Sequence, residues 1–178
     1  MKYAKKITAG LFLLFPLITT GKQSGDTKNF TFTGTLEAEN HCEFDSAGDE
    51  NIDFGSVKFY AMANGDNKLS LPAAEKTLSA KINCTGSAPH DYTLTFSSTK
   101  SFVDVPSGKK VLTTDIPDIG ISLTNKGAAV DFDAPIKFTK LAEQPELKVS
   151  LVQLDPKGPN LKDKAIFSST ATLTVTWA

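Results

Sequence analysis

Arginine is absent from the 178-residue chain, whose nineteen basic residues are all lysines. The planar, forked guanidinium of arginine is the side chain best suited to reading phosphates and base edges. Acidic residues number twenty, and the formal net charge is −1. The composition therefore argues against nucleic acid as a partner.

Histidine is scarce, and no catalytic constellation is visible. His41 and His90 are the only two histidines. Each stands beside a polar stretch, which favours ordinary surface positions over catalytic ones. The chain has no nucleophile elbow, glycine-rich phosphate loop or metalloprotease helix. We expect a protein without enzymatic activity and without a cofactor.

A metal site is not expected either. Four acidic residues, Asp45, Asp49, Glu50 and Asp53, fall close together and could in principle hold calcium. Their spacing departs from the loop pattern that arranges oxygens around that ion. A solvated acidic turn is the favoured interpretation.

Only one long apolar run exists, and it lies at the N-terminus. Lys2, Lys5 and Lys6 precede the run from Ile7 to Thr20, which is too short to span a bilayer. This pattern predicts a secretory signal peptide over residues 1–21, with cleavage at Thr20 or a few residues after Gly21 as alternatives. A retained membrane anchor is the competing interpretation. Removal of the signal subtracts three lysines, leaving a net charge of about −4.

Cysteine is limited to Cys42 and Cys84. In a secreted chain, a single pair predicts one disulfide in an oxidising compartment, with two free thiols as the alternative. Two cysteines without a nearby histidine pair do not make a usual zinc site.

Helical periodicity is also missing, and a period of two replaces it. The length suits one domain, and 40% of the residues are hydrophobic, so a core can form. About eight short strands separated by turn signals predict an all-β sandwich. The expected strands are Phe30–Leu36, Ile52–Val57, Leu78–Cys84, Tyr92–Phe96, a hairpin through Pro106–Gly108, Ile119–Asn125, one or two within Val130–Phe138, Leu147–Leu154 and Ala165–Trp177. The stretch Met62–Lys76, rich in Gly, Asn, Asp and Pro, is expected to be a loop.

The two most regular strands stand at the ends of the chain. Phe30, Phe32, Gly34 and Leu36 share one face of the first. Apolar side chains also alternate through Phe167–Trp177. Long apolar edge strands are an aggregation hazard that proteins normally cover. We therefore expect strand addition between chains, in which a segment of another molecule supplies the missing cover.

The chain resembles the pilin subunits of chaperone–usher fimbriae of the type 1 and P kind, because four sequence motifs occur in the same order. They are Phe32–Leu36 before Cys42, Ile52–Val57 (IDFGSV), Ile82–Cys84 (INC), and an alternating C-terminal strand. That family commonly has Gly where this chain has Ala165, and a penultimate Tyr where it has Trp177. The departures leave the fold assignment intact but blur which branch of the family the chain joins.

The resemblance implies an incomplete immunoglobulin-like sandwich (the pilin fold) that lacks its last strand. A periplasmic chaperone would lend that strand first, and the N-terminal extension of the next subunit would replace it at the outer-membrane usher. On this hypothesis the domains are a signal peptide (1–21), a donor-strand extension (22–37) and a pilin domain (38–178). Phe30, Phe32, Gly34 and Leu36 would form the donor face. The acceptor groove and chaperone-binding surface would comprise Phe167, Ala171, Leu173, Val175 and Trp177.

The expected function is that of a shaft, adaptor or minor pilin, secreted through the periplasm to a cell-surface fimbria that supports adhesion. Two alternatives stay open. One is a single-domain fimbrial adhesin that contacts a host receptor through loops such as Met62–Leu71 or Ser101–Val111. The other is a complete secreted immunoglobulin-like domain that folds as a stable monomer.

Overall fold

A computed structural model describes residues 28–36, 41–46, 48–70, 75–86 and 91–178. The predicted signal peptide and His90 lie outside the described residues. The chain divides between Leu36 and Glu37 into two units, which are treated separately below.

Strands dominate the described part of the second unit. One short 3-10 helix, Leu141–Glu143, is present there. The strands are β1 (His41–Phe44), β2 (Phe59–Ala61), β3 (Asn67–Leu69), β4 (Lys76–Thr77), β5 (Ile82–Thr85), β6 (Tyr92–Ser97), β7 (Phe102–Asp104), β8 (Lys110–Thr113), β9 (Ile119–Asn125), β10 (Ala128–Val130), β11 (Ile136–Phe138), β12 (Leu147–Gln153) and β13 (Thr172–Trp177).

The strands form two principal antiparallel sheets. The larger has the order β4-β12-β9-β8-β7, with β10 also paired to β9. The smaller has the order β11-β6-β13. Two further pairs, β1 with β5 and β2 with β3, complete the described strands. The all-β sandwich expected from the alternating pattern is confirmed.

The core lies where both sheets contribute their inward rows. Leu94 of β6 is fully buried, and Leu123 of β9 and Leu147 of β12 are each 1% exposed. Aromatic pairs fill the space between the strands: Tyr92 stacks on Phe138 with ring centroids 4.9 Å apart. The alternation of buried and exposed positions along β6 and β12 is the direct result of the period-two pattern in the sequence.

A disulfide joins Cys42 of β1 to Cys84 of β5, which are directly opposite each other across the strand pair. This confirms the predicted bond. The two cysteines are 42 positions apart, and closing a loop of that length stabilises the fold by roughly 3–4 kcal/mol in the chain-entropy model.

Several expectations about local structure in the second unit are wrong. The strand expected at Leu78–Cys84 is formed only as β5, from Ile82, and the C-terminal strand begins at Thr172 rather than at Ala165. Residues 52–57 are not a strand: they have no ladder partner among the described residues, and Gly55 has a φ of +66°.

The stretch from Met62 to Lys76, expected to be a loop, instead contains β3, which pairs with β2 in a hairpin. Its turn includes Gly65 at φ +87°, and Gly65 N donates to the carbonyl of Met62 at 3.0 Å. The connection between the two strands has five residues, Met62–Asp66, and includes Asn64-Gly65, a dipeptide that is common in hairpin turns.

The first unit is described only over residues 28–36, and these have no strand hydrogen bonds. The strand expected at Phe30–Leu36 is therefore not formed here. Phe30 is 68% exposed, Phe32 92%, and Leu36 fully. A strand cannot form a ladder without a partner, so the alternation alone does not produce one.

Across the described ranges, no helix has the length and apolar character needed to cross a membrane.

Candidate functional site

The last strand, β13, has one edge without a partner in the described part of the chain. Its other edge pairs with β6 over six residues in antiparallel register, from Thr172 opposite Ser97 to Trp177 opposite Tyr92. We call the unpaired side the open edge. It carries backbone groups that can accept another strand.

Burial falls sharply from β6 to β13. On β6, the inward residues Leu94 and Phe96 are 0% and 8% exposed. Their partners on β13, Val175 and Leu173, pack against the same core but are only half-buried. The core thus continues past β6 and is left incompletely covered at β13.

All five residues of the expected acceptor surface have odd numbers and fall on one face of the C-terminal run. Ala171, Leu173 and Val175 contact the main core. Phe167 contacts a second cluster built on Leu69, Ile119, Leu151 and Leu161. Trp177 is 36% exposed, the most open member among the three that belong to β13.

A groove of about 690 Å³ lies beside the residues that lead into β13. Residues 51–59 line one part and residues 161–167 another, and we call this space the edge pocket. Phe54 and Phe167 meet there with ring centroids 6.3 Å apart. Within residues 52–57 the side chains of Ile52, Phe54 and Val57 are partly buried, and the segment has no ladder in the described part of the chain.

Residues 161–167 form a strap that is anchored at both ends by aspartates near the start of β9. Asn160 donates its backbone N and its Nδ2 to the carboxylate of Asp118, at 2.5 and 3.0 Å. Ser168 donates its backbone N and its Oγ to Asp115, at 2.7 and 2.9 Å. Asp118 is buried, whereas Asp115 is exposed. The two anchors fix one wall of the edge pocket, and nothing in the sequence pattern marked them.

Hydrogen bonds from Ser168 hold the pKa of the Asp115 carboxyl below its usual range. The backbone N–H of Ser168 contributes most and its hydroxyl next, and the charge of Lys100 adds to the effect. A carboxyl whose pKa is depressed in the folded state stabilises the fold above its unfolded pKa. That contribution disappears as the pH falls through the folded pKa.

We therefore predict that Asp115→Asn lowers the free energy of unfolding at neutral pH by less than about 1 kcal/mol, because the group is exposed. The difference from the unaltered chain should be constant from pH 7 to about 5 and should shrink as the pH falls through about 4, the ordinary aspartate pKa, and below. Urea unfolding at several pH values measures it, with Asp163→Asn, an exposed carboxyl on the strap, as control. A difference that does not vary with pH would contradict the assignment.

Positive φ angles occur at the strap, but not at the residue where the pilin family commonly has glycine. Lys164 has a φ of 62°, whereas Ala165 is not among the positive-φ residues. Lysine in this left-handed conformation costs roughly 1–2 kcal/mol relative to a relaxed backbone. The left-handed residue of the strap is therefore Lys164, one position before Ala165.

We predict that Lys164→Gly leaves stability unchanged or raises it by up to about 1 kcal/mol, since glycine adopts positive φ without strain. Ala165→Gly should instead lower it by about 0.5–1 kcal/mol through the extra freedom of the unfolded chain. Denaturant midpoints of the two variants provide the comparison. The opposite ranking would show that the left-handed residue is Ala165.

Among the described residues, those considered as candidates for catalysis or metal binding do not lie together. His41 is exposed on β1 with its Nε2 3.6 Å from Glu43. Glu50 accepts hydrogen bonds from Ser79, and Asp53 accepts one from the backbone of Gly55. In the ranges that the structure describes, no group of three or more such side chains is arranged to hold a metal ion.

Two comparisons with known proteins bear on the family of the chain. A search of curated proteins finds no match. The family model described as "Fimbrial protein" matches residues 30–177. The chain therefore belongs to the fimbrial protein family, a family of structural subunits of surface pili.

Proposed function

We propose that this protein is a shaft, adaptor or minor subunit of a chaperone–usher fimbria and that it polymerises by donor-strand exchange. The observation that carries the proposal is the open edge of β13, with a half-buried apolar row beneath it. The family match supports a structural role in a pilus.

The donor would be the segment from Phe30 to Leu36 of a second copy or of another subunit. Its apolar side chains are exposed in the isolated chain, which leaves them available to another molecule. Each phenylalanine or leucine that becomes buried contributes roughly 1.5–3 kcal/mol. In the free chain no atom lies within 4 Å of the point where a Cβ on Gly34 would stand, so the role of this glycine would arise only in the bound strand, where backbones approach closely.

A periplasmic chaperone would occupy the open edge before assembly, because an uncovered apolar edge is prone to aggregate. Exchange of the chaperone strand for the donor strand at the outer-membrane usher would then release the subunit into the fibre. Head-to-tail contacts of this kind are heterologous and give open filaments.

The test of polymerisation uses Phe32→Asp in the full chain. A carboxylate on the donor face cannot enter an apolar row without a large desolvation cost, so fibre formation should stop. Thr33→Asp, on the opposite face of the same segment, is the matched control and should still assemble. Sedimentation and electron microscopy of the purified chains give the readout. Fibres formed equally by both variants would overturn the donor assignment.

The adhesin alternative has one observation in its favour. Tyr60 and Met62, on and beside the hairpin β2–β3, are 55% and 42% exposed. Exposed aromatic and thioether side chains are common in binding surfaces. Receptor binding that is lost in a Tyr60→Ser variant while fibre formation persists would favour that role.

A further inference from the structure

The turn of the hairpin β2–β3 holds an asparagine directly before a glycine. Asn64 is the only asparagine in the sequence that glycine follows, and both residues are exposed. Gly65 has a φ of +87°, and nothing outside the adjacent residues lies within 4 Å of the point where a Cβ on it would stand. The side of the turn on which a side chain at residue 65 would stand is therefore open.

An asparagine in this position can react with the chain that follows it. The backbone nitrogen of Gly65 gives up its proton to water and attacks Cγ of Asn64. As the N–Cγ bond forms and the Cγ–Nδ2 bond breaks, ammonia leaves with a proton from water, and a five-membered cyclic imide remains. Water then opens the imide at either carbonyl, which gives aspartate or isoaspartate. Glycine favours the first step because it has no Cβ beside the attacking nitrogen.

Asp66 holds the Asn64 side chain through two hydrogen bonds. Oδ1 of Asn64 accepts a hydrogen bond from the backbone N–H of Asp66 at 3.1 Å, and its Nδ2 donates to Oδ2 of Asp66 at 2.8 Å. Both partners belong to the residue after Gly65, so the amide group folds over the Gly65 peptide instead of extending into water. An N–H aimed at Oδ1 also stabilises the negative charge that this oxygen gains when Cγ is attacked.

One hydrogen bond opposes the reaction. The N–H of Gly65 donates to the carbonyl of Met62 at 3.0 Å, and it must be released before the nitrogen can attack. This bond lies in an exposed connection, where local opening costs little free energy. β3 is held independently, since Asn67 donates its Nδ2 to the carbonyl of Gly158 at 3.2 Å and its own carbonyl accepts from Nε2 of Gln153 at 2.9 Å. The turn can thus open while the rest of the hairpin stays in place.

We propose that Asn64 is a deamidation site in the folded protein, with water as the only co-reactant. Both products carry one more negative charge. In the aspartate product, an oxygen that repels the Asp66 carboxylate replaces the donor Nδ2. In the isoaspartate product, a methylene group is added to the main chain, which disturbs the bond from Gly65 to Met62. The turn of the hairpin therefore loosens as the protein ages, independently of any role in a fibre.

The change reaches the surface that the hairpin presents. Tyr60 and Met62, in β2 and in the connection that follows it, are 55% and 42% exposed. The carbonyl of Met62 accepts the bond from Gly65, and its N–H donates to the carbonyl of Asp66 at 2.7 Å, so both bonds belong to the turn. A contact that uses these two side chains is therefore expected to weaken in aged protein.

The test is peptide mass analysis of the full chain after incubation at neutral pH. Cleavage after lysine releases residues 59–68 as one peptide, which contains Asn64 and a second asparagine, Asn67. We expect this peptide to gain about 1 Da at Asn64, the difference between an amide and an acid, and to separate into two chromatographic species. Asn67 is the internal control and should stay unchanged, because lysine follows it and its Nδ2 is bonded to Gly158. A sample taken before incubation corrects for conversion during digestion.

Two variants and a free peptide complete the design. Asn64→Gln keeps an amide but requires a six-membered ring, and Gly65→Ala places a Cβ beside the attacking nitrogen. Each should slow the gain of mass in residues 59–68 by roughly tenfold or more. Melting temperatures confirm that both chains are folded. A synthetic peptide of residues 59–68 gives the rate without the fold, and the folded chain should convert within about tenfold of that rate.

Each outcome decides for or against the site. Conversion confined to Asn64 and slowed in both variants supports it. If Asn64 stays intact in the folded chain, the proposal is wrong, and conversion of the free peptide alone would show that the turn protects it. A gain of mass at Asn67 in place of Asn64, or an unslowed gain in either variant, would overturn it as well. None of these results depends on whether the chain assembles into fibres.

Discussion

A chain carrying Leu173→Asp is expected to bind neither a chaperone nor a donor strand. Leu173 stands opposite Phe96, packs against the main core and is only half-buried. A carboxylate at this position would be taken out of water by the incoming strand without a compensating partner, at a cost of several kcal/mol. Capture should fall below detection in a pull-down with the periplasmic chaperone.

Thr174→Asp is the matched control for that result. Thr174 is the next residue on the same strand, faces outward and is exposed, so a charge there stays in water. This variant should be captured as well as the unaltered chain.

A milder substitution at Leu173 distinguishes a loss of binding from a loss of folding. Leu173→Ala keeps the position apolar but removes most of its contact area, so capture should weaken by about tenfold while the circular dichroism spectrum is retained. Undiminished capture by Leu173→Asp would remove Leu173 from the acceptor surface.

The second large effect is the response of the domain to an added strand. A chain without residues 22–36 but with a copy of the Phe30–Leu36 segment joined after Ala178 by a short flexible linker supplies its own cover. Burial of three large apolar side chains contributes roughly 5–9 kcal/mol before the cost of ordering the segment. A net gain of about half that amount raises the melting temperature by about 10 °C or more for a domain of this size.

The control for this fusion replaces Phe30, Phe32 and Leu36 of the joined segment by serine. Its length and backbone are the same, but the apolar contribution is lost, so the melting temperature should stay within about 2 °C of the chain without a donor. A domain that is equally stable with and without either segment would fit the alternative of a complete immunoglobulin-like sandwich.

Much of the fold was predictable because the alternation of apolar and polar residues shows directly which side chains of a strand are buried. β6, β9 and β12 were expected within a residue of their observed bounds, and their inward positions are the buried ones. The C-terminal run was expected as a strand too, although the ladder begins at Thr172 rather than near Ala165. Before Thr172 the chain follows the strap, which side-chain bonds to Asp115 and Asp118 hold in place.

Two of the expected strands do not form, for different local reasons. In residues 52–57 the side chains of Ile52, Phe54 and Val57 are partly buried, but Gly55 has a φ of +66° and the segment has no ladder in the described part of the chain. The segment from Phe30 to Leu36 has the alternating pattern and is exposed. Periodicity predicts which face of a strand is apolar, but backbone pairing requires a neighbour. The proposed exchange would supply that neighbour for Phe30–Leu36.

The lysines of the edge pocket were not predictable for a different reason. Lys58 and Lys162 are more than one hundred positions apart, and the packing of Phe54, Val57 and Phe167 on the second apolar cluster brings their segments to one pocket. In the sequence they are isolated surface lysines. Their common position becomes apparent only in three dimensions.

Amide hydrogen exchange in β13 tests the central claim most directly. In an antiparallel strand about half of the backbone N–H groups point to each side, so roughly three of the six in Thr172–Trp177 face the open edge. In the chain without residues 22–36 these should exchange rapidly, and addition of a peptide of residues 28–38 should protect them, with little change in β6. Strong protection of all six before the peptide is added, or no change after it, would show that the edge of β13 is not an acceptor for a donor strand.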